Sequence, residues 1–186
     1  MKVSIITGSF TDKPAELHKV YKEESYYLYE FEVEDGLCIS VQVSQYLQDK
    51  VKLGVPVKLT GHLATCKKFS ESKGRQAMFT FFSAKLIDTL GDNDAHSKQI
   101  CCEGTVVHLY PLTVTLGGTE KLTIVVKESF DMGRVGIIHY TALGQLARKL
   151  SATIHEKDNV TGVGVLRQKT ESLEVLLTDL KSQTKE

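Results

Sequence analysis

The segment CKKFSESKGRQAMFTFF, residues 66 to 82, gathers Lys67, Lys68, Lys73 and Arg75 around a turn at Gly74, with Phe69, Phe79, Phe81 and Phe82 on either side. Closely spaced cations hold anionic oxygens, and flat apolar rings take planar groups by stacking, at about 1–3 kcal/mol per stacked base. A polymer that alternates phosphates with flat rings, single-stranded nucleic acid, would use both. The segment divides at Gln76. Before it lie a basic tip and Phe69, the candidate stacking platform; after it, MFTFFSAKLI reads as a closing strand with Phe79 and Phe81 on one face and Phe82 on the other. At least one of those three rings is expected in the core.

These residues need elements to position them. KVSIITGSF and ESYYLYEFEVE alternate as strands do, the second setting Tyr27, Tyr29, Phe31 and Val33 against Tyr26, Leu28, Glu30 and Glu32. The longer set is expected inside, leaving Tyr26 and Lys22 near the surface as further nucleic-acid-binding candidates. Glu30, Glu32 and Glu34 on or beside the outer face oppose a phosphate there. Asp35-Gly36 reads as a hairpin turn leading into LCISVQV. SQYLQDKVKLG then reads as a short helix, capped by Ser44 and stopped at Gly54, before the strands PVKLTGHLATC and QAMFTFFSAKLIDTL.

After the polar stretch 91–99, expected to be a linker, the plan recurs. QICCEGTVVHLYPLTVTLG, EKLTIVVKES and VGIIHYTA read as strands, ALGQLARKLSATI as a helix, and NVTGVGVL and LEVLLTDL as two more strands. Three strands, a helix and two strands, occurring twice, predict an all-β chain of two tandem OB-folds. Each is a five-stranded Greek-key barrel with a short helix between strands 3 and 4. The expected domains are 1–90, the nucleic-acid-binding candidate, and 100–186, a divergent copy. Eleven of the fourteen Phe and Tyr residues precede residue 91. The second half is therefore read as a degenerate copy that packs rather than binds.

Three stretches, GSFTDKPAEL, YLQDKVKLGVPVKLTGHLAT and KKFSESKGRQAMFTFFSAKLIDTL, resemble the bacterial single-stranded DNA-binding proteins and their primosomal protein B relatives across residues 3–90. The second half resembles them through its order of elements, Gly104 and VTGVGVL. The resemblance implies largely sequence-independent binding of single-stranded DNA in replication, recombination or conjugation. It also implies replication or recombination proteins as partners, and a homodimer supplying four barrels. The acidic tail ending in Pro-Phe that recruits partners in that family has no counterpart in LKSQTKE, and without Trp any stacking falls to Tyr and Phe. The alternatives are an OB-fold assembly module without nucleic-acid binding, and an RNA binder.

Composition narrows the rest. Lys plus Arg and Asp plus Glu are equal at 23 each, so no net field draws the chain to polyanions and any attraction is local. No stretch has the length of a membrane span or of a leader's apolar core, so a cytoplasmic chain with no membrane partner is expected. Cys38, Cys66, Cys101 and Cys102 lack metal-ligand spacing and are expected reduced and mostly buried. No metal and no cofactor is expected. Nucleophile–base sets, a P-loop and a dinucleotide fingerprint are also missing, so the expectation is a protein without catalysis.

Overall fold

Period-two alternation writes most of the chain as strands, and the computed structural model describes residues 3–33, 36–70, 74–91, 94–130, 134–169 and 172–183, excepting the side chains of 69, 70, 134, 169 and 172. Two units result, Val3–Lys98 and Gln99–Glu186. The first contains β1 (Ser4–Phe10), β2 (Glu16–Tyr21), β3 (Glu24–Val33), β4 (Leu37–Ser44), β5 (Pro56–Ser70) and β6 (Arg75–Thr89). β1 pairs antiparallel with both β3 and β5, β3 with β4, and β5 with β6, while β4 meets β6 in parallel. The ring β1-β3-β4-β6-β5 therefore closes on itself as an OB-fold barrel.

The second unit repeats this ring. It comprises β7 (Lys98–Leu109), β8 (Thr113–Val114), β9 (Glu120–Phe130), β10 (Arg134–Leu143), α1 (Gly144–Thr153), β11 (Asn159–Lys169) and β12 (Ser172–Ser182). β7 pairs with β9 and β11, β9 with β10, β11 with β12, and β10 runs parallel to β12. The chain is thus two tandem OB-folds. Among the described residues no helix is long and apolar enough to cross a membrane.

Closure needs strand one to pass very close to strand two, and glycine makes room for it. A Cβ on Gly8 would lie 2.1 Å from the Glu32 carbonyl oxygen, and one on Gly104 would lie 2.3 Å from that of Lys127. The interior of the first barrel is then filled by Ile6, Phe10, Phe31, Val41, Val43, Leu59 and Phe82. Phe10 meets Phe31 edge-on at a centroid distance of 5.0 Å.

Three expectations are corrected. The helix after β4 is a 3-10 helix, Gln45–Lys50, and Ser44 occupies its N-cap without a side-chain hydrogen bond. It contributes no buried residue, so neighbouring strands shape it more than an apolar face of its own. On β3, Phe31 and Val33 are buried as expected, but Tyr27 and Tyr29 are only half-buried and Leu28 of the opposite face is buried. β2 pairs edge-to-edge with the N-terminal part of β3, Glu16 opposite Leu28, and Leu28 lies among Pro14, Glu16, Lys68 and Phe79, which shelter it. Finally, of the four free cysteines only Cys102 is buried, because Cys38, Cys66 and Cys101 lie on faces the barrels leave partly open.

The second barrel encloses an acid. Glu128 is 4% exposed and accepts a hydrogen bond from the Tyr140 hydroxyl, with Cys102 beside both. Burial pushes the Glu128 carboxyl up to about 7 from its ordinary 4.5, against the Tyr140 hydrogen bond, which favours the ion. The folded state thus holds this proton more tightly than the unfolded state. Its contribution to stability is full below the ordinary carboxylate range and is lost as pH rises through about 7.

Two outcomes follow from this packing. Gly8→Ala should destabilise the first unit by about 2 kcal/mol or more in urea unfolding, because a backbone carbonyl cannot yield as a side chain would. Glu128→Gln should flatten the loss of stability between roughly pH 5 and pH 8 that the native protein shows in the same assay.

Candidate nucleic-acid interface

With Phe31 and Val41 committed to the interior of the first barrel, the neighbouring residues of β3 and β4 face outward. Two segments frame that face: the β1–β3 connection carrying β2, and the β5–β6 hairpin. Between them lies a cleft lined by Lys13, Pro14, Glu16, Leu28, Tyr29, Glu30, Ser40, Lys68 and Phe79. Two cations, Lys13 and Lys68, and two carboxylates, Glu16 and Glu30, share it with the apolar side chains of Pro14, Leu28 and Phe79.

Both cations have partners. Lys13 Nζ lies 3.1 Å from Glu30 Oε2, and Lys68 Nζ lies 3.8 Å from Glu16 Oε2. Lys68 also sits over the Phe79 ring, 5.2 Å from its centroid. Phe79 in turn stacks on Phe81 at 6.0 Å with an interplanar angle of 24°. Beneath the β2 segment, His18 meets Phe81 edge-on at 5.2 Å. Burial, then Lys19 and Lys68, hold the His18 imidazole below its ordinary pKa, which favours the neutral ring. β2 is thus fastened to the β5–β6 hairpin by an aromatic contact and an ion pair.

The residues singled out in the sequence do not form one cluster. Cross-strand register sets Lys67 opposite Met78, and Lys68 opposite Ala77, so the two lysines take opposite faces of the hairpin. Alternation puts exposed Arg75 on the Phe79 face with Lys68. Phe69 pairs with Gln76 through the backbone, its side chain lying outside the described structure, and Lys73 falls outside the described residues. Tyr26 is half-buried, donates its hydroxyl to Glu24 at 2.7 Å and carries Lys19 Nζ over its ring at 5.1 Å. Lys22 lies on the two-residue turn between β2 and β3, where its φ of 48° and that of Glu23, 66°, are both positive. Its ammonium is 5.6 Å from the Tyr21 ring centroid, so the lysine beside Tyr26 is Lys19.

The fold adds Lys13, Glu16, His18, Glu30 and Phe79 to the site residues named from the sequence. A readable signal existed for part of this set. ELHKVY and ESYYLY flank Lys22-Glu23 as two strands flank a two-residue turn. Only the fold shows that this added hairpin brings Glu16 to Lys68.

The second barrel uses the corresponding face differently. The parallel pairs Val41–Phe82 and Tyr140–Val175 place Phe81 and Glu174 at the same point of their closing strands. Where the first unit has a ring, the second has a carboxylate. Glu174 accepts from Thr141 Oγ1 at 2.6 Å and from Arg167 at 2.8 and 2.7 Å, with Lys121 Nζ at 3.5 Å. Burial raises the Glu174 pKa, but these hydrogen bonds and charges outweigh it and hold the carboxyl below its ordinary range. Arg167 and Lys121 are therefore engaged internally.

No protein-family model and no curated protein matches the sequence. Among solved structures, the wild-type single-stranded DNA binding protein from Thermus aquaticus is similar with a TM-score of 0.76 at 15% identity, over 100% of this chain and 94% of that one. A deletion mutant of the same Thermus aquaticus protein gives 0.75 at 15% identity, over 100% and 96%. The two chains share the fold along their length.

Phe79, which lines the cleft, and Phe81, stacked against it, differ in burial, and stability should separate them. Phe81→Ala should cost about 3 kcal/mol or more in denaturant unfolding, as for a core phenylalanine, whereas Phe79→Ala should cost about 1 kcal/mol.

Proposed function

We propose that the chain binds single-stranded DNA through the first barrel, largely without reading sequence and without catalysing a reaction. The observation that carries this reading is the position of the cleft. It lies on the outer face of OB strands two and three, between the loops by which this fold takes up oligonucleotides, with Phe79 for bases and Lys13 and Lys68 for phosphates. Similarity of fold to the Thermus aquaticus single-stranded DNA binding protein supports it. A homodimer supplying four barrels, acting with replication or recombination proteins in the cytoplasm, is the setting in which we place this activity.

The pairing of both cations with carboxylates favours a second reading, an assembly module that has given up nucleic acid. The first reading still accounts for these contacts. Exposed ion pairs are worth about 0–1 kcal/mol. An entering phosphate displaces Glu16 from Lys68 at little cost and releases counterions as it does so.

Fluorescence anisotropy with a labelled oligothymidine at low salt separates the two readings. Saturable binding is expected, about tenfold weaker in Phe79→Ala. In Lys68→Ala the salt slope should be smaller by roughly 0.7. No binding at low salt, or native affinity in a combined Lys68→Ala and Phe79→Ala variant, would leave the assembly reading in place.

A further inference from the structure

Glu30 is an unusual residue for a phosphate-binding cleft. Its backbone oxygen accepts from the Thr11 amide at 3.1 Å, Oε1 accepts from Thr11 Oγ1 at 3.3 Å, and Oε2 accepts from Lys13 Nζ at 3.1 Å. The carboxylate is thereby fixed in orientation. Each of its oxygens keeps a second acceptor site, and the side chain is 35% exposed in a cleft it shares with Leu28, Phe79 and Pro14. A carboxylate in that place repels phosphate but accepts hydrogen bonds from amines.

We propose that Glu30 receives the edge of a base stacked in this cleft and favours bases that present an exocyclic amine over thymine. The inference rests on the reading of the chain as a binder of single-stranded DNA and adds a base preference to it. Cytosine projects its N4 amine at the edge, the group a Glu side chain accepts from. Thymine projects the O4 carbonyl at the same place, which faces Glu30 as one acceptor against another. Its N3–H is recessed between two carbonyls that the carboxylate would also meet. Adjacent Lys13 offers a donor to the ring nitrogen or O2 of cytosine, so the fixed pair presents acceptor and donor side by side.

The test measures dissociation constants for an oligodeoxycytidine and an oligothymidine of equal length, by anisotropy in one buffer at neutral pH. The native chain is compared with Glu30→Gln and with Glu16→Gln, which removes the same charge from the cleft rim. Thermal melts check that both variants are folded. The ratio of the thymidine to the cytidine Kd should fall by about fivefold to tenfold in Glu30→Gln and stay constant in Glu16→Gln. An unchanged ratio in Glu30→Gln, with both oligonucleotides bound more tightly in each variant, would make Glu30 a counterion only and overturn the proposal. If the native chain bound neither oligonucleotide, the binding reading itself would fall and this inference with it.

Discussion

The close approach of strand one to strand two is the constraint on which the rest of the structure depends. In both barrels a glycine, Gly8 or Gly104, lets a backbone carbonyl occupy the space a Cβ would need. Only with that approach can β1 pair with β3 as well as β5, and β7 with β9 as well as β11. Closure decides what every later side chain does. Once Phe31, Val41 and Phe82 fill the interior, the alternate residues of the same strands must face out. The cleft of the first unit is the outward half of that alternation.

What the outward face does depends on a few substitutions around one frame. At the shared position of the closing strand, the first unit has Phe81 and the second Glu174. A ring there supports Phe79 and receives His18. A carboxylate there collects Thr141, Arg167 and Lys121 into a half-buried network, and the cations become structural. In the first unit the acids Glu16 and Glu30 also meet lysines, but at an exposed rim where exchange for phosphate is inexpensive. Equal numbers of positive and negative charges therefore coexist with one face suited to a polyanion.

Much of the fold was legible because strand alternation and order are local properties repeated twice. The five barrel strands of each unit, the intervening helix and the opposed faces of Phe81 and Phe82 followed from period and turn residues, although QICCEGTVVHLYPLTVTLG, read as one strand, ends at Leu109 as β7 and resumes only as the short β8, Thr113–Val114. What failed had a common cause. β2 is short, polar and half-exposed, so its pattern is weak, and Leu28, paired with Glu16 of β2, is buried against expectation. The hairpin cations looked like a cluster in one dimension, yet register turns Lys67 away from Lys68. Glu16 and Lys68 are far apart in sequence, and no local signal joins them.

Residue-resolved amide NMR during titration with a short oligonucleotide shows whether single-stranded DNA enters the cleft between the β1–β3 connection and the β5–β6 hairpin. Saturable shifts are expected at Leu28 to Glu30, Ser40, Lys68 and Phe79, with the corresponding face of the second barrel, around Thr141 and Glu174, left quiet. Shifts centred on the second barrel, or none on the β3–β4 face of the first, would contradict it.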